Sequence, residues 1–154
     1  MKMNKKGFTL IELLAVIVIL AIIALIATPI IMGIIDDAKK KAAENSAYGY
    51  IKSVENTMVQ KSFSQNDIVT LNGDYTISAD GKTITCTACT APNNAAIPIS
   101  FNGEAPKKIG NDTDAGTLKY TNGVLQAGSV ISINGYKFHT TDTSGKLTEG
   151  PVGE

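Results

Sequence analysis

The sequence predicts an α+β protein in which one long N-terminal helix precedes a small, mostly antiparallel β-sheet. Three observations lead to this prediction. No charged residue occurs from Leu13 to Ile35, and residues 36–63 contain no proline and repeat apolar side chains at helical spacing. After Phe63 the chain changes to short β-type runs separated by Asn-Gly and Asp-Gly pairs, which are strong hairpin signals. A chain of 154 residues has room for one anchor segment and one small domain.

The first element is an apolar helix with one glutamate just inside its start. The uncharged run Leu13–Ile35 is long enough, as a helix, to cross the hydrocarbon core of a bilayer. Glu12 directly precedes this run. An ionisable group inside a membrane-spanning segment is costly and rare, so Glu12 is a candidate functional residue.

A carboxylate in hydrocarbon needs a partner, or it must take up a proton. One candidate partner for Glu12 is the group of leader lysines, Lys2, Lys5 and Lys6. The other arises if the chain is cut after Gly7, because Phe8 would then carry a new α-amine that is protonated at neutral pH. That amine would lie one helical turn from Glu12 in the same chain, or equally near Glu12 of a neighbouring chain.

The order of residues around Gly7 resembles a known signal. The stretch Gly7–Glu12, with the sequence GFTLIE, follows a short lysine leader and precedes an apolar helix. It resembles the class III signal peptide of type IV prepilins over about the first 30 residues. The resemblance implies a pilin-like fold, cleavage between Gly7 and Phe8 by a membrane aspartyl prepilin peptidase, and N-methylation of Phe8. It further implies assembly of the mature chain into a helical filament, in which Glu12 pairs with the Phe8 amine of an adjacent subunit.

Pro29 and Gly33 are the two weak points of the apolar helix. Proline removes one helix hydrogen bond and clashes with the preceding turn, so a kink is predicted at Pro29. Leu25–Pro29 is then the easiest part of the helix to loosen during extraction from a membrane, and Gly33 adds a second such point. The resemblance implies that Pro29 matches the proline at which the filament form of the helix loses regularity.

Two plainer explanations of the N-terminal segment are disfavoured. A secretory signal has an apolar core of roughly 7–15 residues and a small-residue cleavage site, whereas this run is longer and no A-x-A ends it. A simple single-span anchor explains neither Glu12 nor the Gly7-Phe8 pair. The positive-inside rule predicts that the short basic leader stays inside and the chain after Ile35 lies outside, although Lys39–Lys41 make the outer flank basic as well.

The helix is predicted to continue beyond the apolar run as an amphipathic helix. Ala47, Ile51, Val54 and Met58 recur at spacings of four, three and four, which places them on one face where a domain can pack. The predicted division of the chain is a leader over 1–7, an apolar helix over 8–35, its amphipathic continuation over 36–63, a β-rich domain over 68–148 and a tail over 149–154.

The β-rich domain is predicted from short strand-like runs and three hairpins. The hairpins are placed at Asp80-Gly81, Asn122-Gly123 and Asn134-Gly135, because both residues of such pairs tolerate positive φ. One face of the sheet should cover the helix stripe. The predicted strands are Ile68–Leu71, Tyr75–Ser78, Thr83–Thr87, Ile97–Phe101, Thr117–Thr121, Val124–Gln126, Val130–Ile133 and Tyr136–Thr140.

The two cysteines, Cys86 and Cys89, form a C-x-x-C pair. An exported domain permits a disulfide, which requires a turn at Thr87-Ala88 because a straight strand would hold the two side chains too far apart. Free thiols and a redox-active pair are the alternatives, and no βαβ context typical of redox proteins surrounds the pair. The sequence lacks the widely spaced C-terminal cysteine pair of many Gram-negative pilins. Together with its lysine-only basicity, this resembles Gram-positive, clostridial pilins in style.

Composition disfavours several other functions. The formal net charge is zero, and loss of the three leader lysines would leave 11 of the 14 basic residues against 14 acidic ones, without the basic stripe of a nucleic-acid binder. His139 is the sole histidine, so no hydrolytic triad or zinc site can be assigned. Asp112 and Asp114 lack the acidic ladder of a calcium loop. We therefore predict no catalytic residue, metal or cofactor.

The predicted function is that of a structural subunit of a type IV pilus, which polymerises through its N-terminal helix into a surface filament for adhesion, motility or aggregation. Its partners would be other copies of itself, the prepilin peptidase and assembly machinery, and the membrane before assembly. The precursor would lie in the cytoplasmic membrane and the mature chain in an extracellular filament. Two alternatives are a pseudopilin or minor pilin of a secretion or DNA-uptake apparatus, and a membrane-anchored binding domain that never polymerises.

Overall fold

The computed structural model describes residues 7–65, 71–86 and 96–150. It confirms the predicted α+β fold, with one long helix followed by an antiparallel sheet of eight strands. The chain divides into two compact units, Met1–Lys39 and Lys40–Glu154. The elements are α1 (Leu10–Gln65), β1 (Gly73–Ile77), β2 (Thr83–Cys86), β3 (Ile97–Pro98), β4 (Gly116–Thr121), β5 (Val124–Leu125), β6 (Val130–Ile133), β7 (Tyr136–Thr140) and β8 (Leu147–Glu149).

The first unit contains the apolar part of α1, whose side chains are not buried by the rest of the chain. Every large hydrophobic side chain from Leu10 to Ile35 is at least 45% exposed. A helix that is apolar on all sides is normally buried in a protein core or in lipid. In the single chain this apolar surface therefore lacks the surroundings that such a helix requires.

The second unit is built around the striped face of α1. Ala47, Ile51, Val54 and Met58 are at most 4% exposed, which confirms the predicted amphipathic continuation of the helix. They belong to one hydrophobic cluster with alternate residues of β1, β4, β6 and β7. Because strand side chains alternate between the two faces of a sheet, one face of these strands supplies the core.

The sheet has the strand order β3-β2-β1-β4-β6-β7-β8, and β5 pairs with β4 off this path. The three predicted hairpins are confirmed. At Asn122-Gly123 and Asn134-Gly135 all four residues have φ between 51° and 82°. This is the type I′ geometry, whose backbone twist matches that of the flanking strands. At the first hairpin, the Asp80 carboxylate accepts hydrogen bonds from the Ser78 hydroxyl and the Lys82 N–H.

Three segments of the second unit meet at Gly81. Tyr50 of α1 donates a hydrogen bond from its hydroxyl to the Gly81 carbonyl oxygen over 2.8 Å. Pro106, a buried residue of the loop before β4, lies so close that a Cβ at position 81 would be 2.3 Å from the Pro106 carbonyl oxygen. Gly81 also has a φ of 71°. Only glycine satisfies both the contact and the backbone angle.

The observed strands differ from the predicted ones near both ends of the sheet. β8 has no counterpart among the predicted strands, because three residues are too few to show a period-two pattern, and its Glu149 lies in the predicted tail. The predicted strand Ile97–Phe101 is shortened to Ile97–Pro98, an edge strand where proline is tolerated. Of the predicted strand Ile68–Leu71, residues 68–70 lie outside the described residues and Leu71 is not in a strand.

Candidate functional site at the start of the helix

Helix α1 begins one residue after Thr9, which occupies the N-cap position. The Leu13 N–H donates to the Thr9 carbonyl oxygen over 3.3 Å, which is the first hydrogen bond of the helix. Gly7, Phe8 and Thr9 lie outside the helix, and the Phe8 side chain is 90% exposed. The predicted cleavage point between Gly7 and Phe8 is therefore in non-helical chain, and cleavage and methylation there stay predictions.

Glu12 and Thr9 form a capping box, in which each residue satisfies the backbone of the other. The Thr9 N–H and the Thr9 hydroxyl both donate to the Glu12 Oε2 atom, over 2.8 and 2.7 Å. The Glu12 N–H in turn donates to the Thr9 Oγ1 atom over 3.4 Å. The carboxylate of Glu12 therefore has a partner inside its own chain.

The structure thus gives Glu12 a partner, Thr9, that differs from the two expected from the sequence. Of those two, Lys2, Lys5 and Lys6 lie outside the described residues, and Phe8 has no free amine in the uncut chain. The signal for Thr9 was nevertheless present in the sequence. A threonine three positions before a glutamate, just ahead of an apolar run, is the sequence pattern of a capping box.

The two oxygens of the Glu12 carboxylate differ in their surroundings. Both hydrogen bonds from Thr9 go to Oε2. Within the part of the chain that the structure describes, Oε1 accepts no hydrogen bond, and the residue is exposed. An ionised carboxylate can accept several hydrogen bonds at once. The arrangement can therefore cap the helix with one oxygen and bind an external cation with the other.

The predicted weak points, Pro29 and Gly33, both lie inside α1, which is helical on either side of them. Proline has no N–H, so the Leu25 carbonyl loses its helical donor. The neighbouring Thr28 hydroxyl donates to the Ala24 carbonyl oxygen over 2.7 Å, so this polar side chain is satisfied within the helix. The kink and the loosening at Pro29 and Gly33 stay predictions.

Cys86 is buried at the end of β2, opposite Tyr75 of β1. Cys89 lies outside the described residues. The disulfide between Cys86 and Cys89 therefore stays a prediction.

The remaining polar candidates are placed by local contacts. The His139 Nδ1 atom lies 2.9 Å from the Gly150 carbonyl oxygen. Asp112 forms an ion pair with Lys137 at 3.0 Å, and Asp114 accepts a hydrogen bond from the Gly116 N–H. Over residues 7–65, 71–86 and 96–150, no three histidine, cysteine or acidic side chains converge where a metal ion could bind.

Comparison with protein families agrees with the geometry at the start of α1. The family model for the prokaryotic N-terminal methylation motif matches residues 2–28. Its match marks this chain as one that carries the class III signal peptide of type IV pilins. The α+β arrangement is like that of pilins, and the motif supports a precursor that is similar to a type IV pilin or pseudopilin. The motif points to a structural protein and not to an enzyme. Neither a curated protein nor a solved structure matches the chain.

α1 is long and apolar enough to cross a membrane, and none of its most apolar window is buried within the described chain. Length and composition alone support this statement, and a signal sequence near the N-terminus would meet the same criterion. Within the described residues the segment is exposed, whereas the core helix of a soluble protein is mostly buried.

Proposed function

We propose that this chain is a polymerising subunit of a type IV pilus and that the mature subunit begins at Phe8. The observation that carries the proposal is the exposure of all large apolar side chains from Leu10 to Ile35 in a folded α+β chain with a prepilin-type signal. Burial of apolar surface contributes about 25 cal/mol per Å². A segment of this kind is stabilised by lipid before assembly and by the same segment of other subunits afterwards.

The charge of Glu12 supplies the register between subunits. Removal of the leader after Gly7 gives Phe8 an α-amine, and the match to the N-terminal methylation motif supports N-methylation of that amine. A methylated amine still carries a positive charge at neutral pH. An unpaired charge in an apolar setting is costly, so a subunit stops at the axial position where its amine meets Glu12 of a neighbour.

The state of the native N-terminus tests the processing step. Filaments sheared from the cell surface of the native host should contain subunits that begin with N-methylated Phe8, as determined by mass spectrometry of the intact protein. Subunits that begin at Met1 would contradict the proposal. Abundance in the sheared fraction distinguishes a major pilin from a minor pilin or pseudopilin, and uniform surface labelling without fibres would indicate a tethered binding domain.

The role of Glu12 is tested by Glu12→Ala, with Glu104→Ala as the matched control. Glu104 is an exposed glutamate whose contact with Lys107, at 3.8 Å, is a surface ion pair. Removing one member of a buried ion pair costs about 3–5 kcal/mol, so Glu12→Ala should lower the filament yield by roughly tenfold or more while the leader is still removed. Normal filament yield from Glu12→Ala would refute the register role.

A further inference from the structure

We infer that Thr9 is a positioning residue for assembly: it holds Glu12 Oε2, so that Oε1 is presented to the amine of the neighbouring subunit. The inference rests on the proposed function, because it assumes that Glu12 meets a Phe8 amine between subunits. It adds Thr9 to the residues that act in assembly, and it gives the two carboxylate oxygens of Glu12 different partners. The charge pair alone requires neither.

The first step of the inference is that two hydrogen bonds restrain the Glu12 side chain. A glutamate side chain on an exposed helix surface samples several rotamers. Here two donors of one residue, the Thr9 N–H and the Thr9 hydroxyl, converge on Oε2 at 2.8 and 2.7 Å. Two short hydrogen bonds to one oxygen restrict the rotation of the side chain, so the other oxygen points in a defined direction.

The second step concerns the backbone that Thr9 caps. The Thr9 hydroxyl accepts from the Glu12 N–H, and the Thr9 carbonyl accepts from the Leu13 N–H. Without the hydroxyl, the Glu12 N–H loses this acceptor and the carboxylate loses one of its two donors. The carboxylate could then turn to the free N–H groups of its own first helical turn. Such a turn would move Oε1 away from a partner outside the helix.

The third step separates this role from an effect of any hydroxyl in the apolar helix. Thr28 lies in the same exposed helix, and its hydroxyl donates to the Ala24 carbonyl oxygen over 2.7 Å. It touches no charged group through that bond. Thr28→Val therefore removes the same atoms from the same kind of surroundings without changing Glu12, and it is the matched control for Thr9→Val.

The experiment measures competitive incorporation, so that a weak variant still gives a signal. Each variant is expressed beside the wild-type chain, and quantitative mass spectrometry compares its share in sheared filaments with its share in the membrane pool. Thr9→Val should be incorporated roughly three- to tenfold less than wild type, which reflects the loss of one side-chain anchor. Thr9→Ser should be close to wild type, because serine also caps helices, and Thr28→Val should be unchanged.

A double mutant tests whether Thr9 acts through Glu12. In the Glu12→Ala background, Thr9→Val should cause no further loss of incorporation, since the group that Thr9 positions is gone. Equal incorporation of Thr9→Val and wild type would overturn the inference, as would an undiminished effect of Thr9→Val in the Glu12→Ala background. Retention of the leader in Thr9→Val alone would also overturn it, because Thr9 would then act on processing.

The same measurements separate failure of the inference from failure of the proposed function. If wild type assembles and Glu12→Ala is impaired while Thr9→Val is normal, the charge pair stands and only the role of Thr9 is lost. If Glu12→Ala is incorporated like wild type, the register role of Glu12 fails and the inference fails with it.

Discussion

The two parts of α1 treat their apolar side chains in opposite ways. In the first unit, Ile22 is 54% exposed, and its apolar neighbours are exposed to a similar degree. In the second unit, Ile51 is 4% exposed because the sheet covers it. The first part is apolar on all sides and the second only along a stripe. One residue type in one helix thus has two uses: isoleucine stabilises the fold in the second unit and is left for other molecules in the first.

Alkaline pH should have the largest effect that separates the two units, because the tyrosines that it ionises in the folded core lie only in the second unit. Burial raises the pKa of Tyr50, Tyr75 and Tyr120, and the charges of Asp80 and Glu55 add to the effect at Tyr50 and Tyr120. Raised pKa values mean that the folded state keeps protons that the unfolded state loses above about pH 10. Stability is therefore full below that pH and falls above it, by up to about 1.4 kcal/mol per pH unit for each tyrosine.

The measurement is circular dichroism and tyrosinate absorbance of the full chain in detergent micelles from pH 9 to about pH 12. The sheet signal should be lost together with the appearance of tyrosinate. The helix signal of the apolar segment should persist, because Leu13–Ile35 contains no titratable group. A sheet that stays folded while all tyrosines ionise near their ordinary pKa would contradict the expectation.

The same substitution, isoleucine to alanine, should have different effects in the two units. Ile51→Ala removes a buried side chain from the second unit and should lower its free energy of unfolding by about 2–5 kcal/mol. Ile22→Ala, at an exposed position of the first unit, should leave that value unchanged. Chemical denaturation of the sheet in micelles measures both. Equal effects of the two variants would show that the apolar segment and the sheet domain share one core.

The predicted disulfide provides a smaller effect that is again confined to the second unit. Closing a loop as short as that between Cys86 and Cys89 should stabilise the fold by about 2 kcal/mol. Cys89→Ser should therefore lower the denaturation midpoint, and a reducing agent should lower that of wild type but not that of the variant. Alkylation of two thiols in the native, unreduced protein, detected by intact mass, would exclude the bond.

The smallest expected effect is the change in stability when a buried tyrosine hydroxyl is removed, at Tyr50 or at Tyr120. The Tyr50 hydroxyl donates to the Gly81 carbonyl oxygen, so Tyr50→Phe should cost about 1 kcal/mol of stability. The Tyr120 hydroxyl is buried without a hydrogen bond of ordinary geometry among the described residues, and its contact with Glu55 is seen only in its raised pKa, so Tyr120→Phe should cost less than Tyr50→Phe. Thermal unfolding of the two variants side by side tests this, and a larger loss for Tyr120→Phe would reverse the assignment.

The sequence predicts those features that are set by local patterns. The stripe of Ala47, Ile51, Val54 and Met58 is visible as helical periodicity, and the three hairpins are visible as Asn-Gly or Asp-Gly pairs. In each case a few consecutive residues determine the geometry. The same holds for Glu12, whose position in an uncharged run marks it without any tertiary contact.

The features that the sequence does not predict depend on distant contacts or on a second pattern at the same place. β8 is too short for a periodic signal and is fixed by pairing with β7 and by the hydrogen bond from the Leu147 N–H to the Tyr48 hydroxyl oxygen, 99 positions away in the chain. β1 and β4 are likewise neighbours in the sheet, although β2 and β3 lie between them in the sequence. The capping box is present in the sequence as a T-x-x-E pattern, but the same glutamate also belongs to the prepilin-type signal, so two patterns overlap at Thr9 and Glu12.

The meeting point at Gly81 has a consequence for how the outer surface of this protein can change. The loop that contains Pro106 is held from within, by Pro106 against Gly81 and by backbone hydrogen bonds from Lys107 and Lys108 to the Ser132 and Ala79 carbonyl oxygens. None of these attachments uses the charged side chains of the loop. The exposed side chains of Glu104, Lys107 and Lys108 can therefore be replaced without loss of the fold, so this part of the surface can change in charge while the core stays constant.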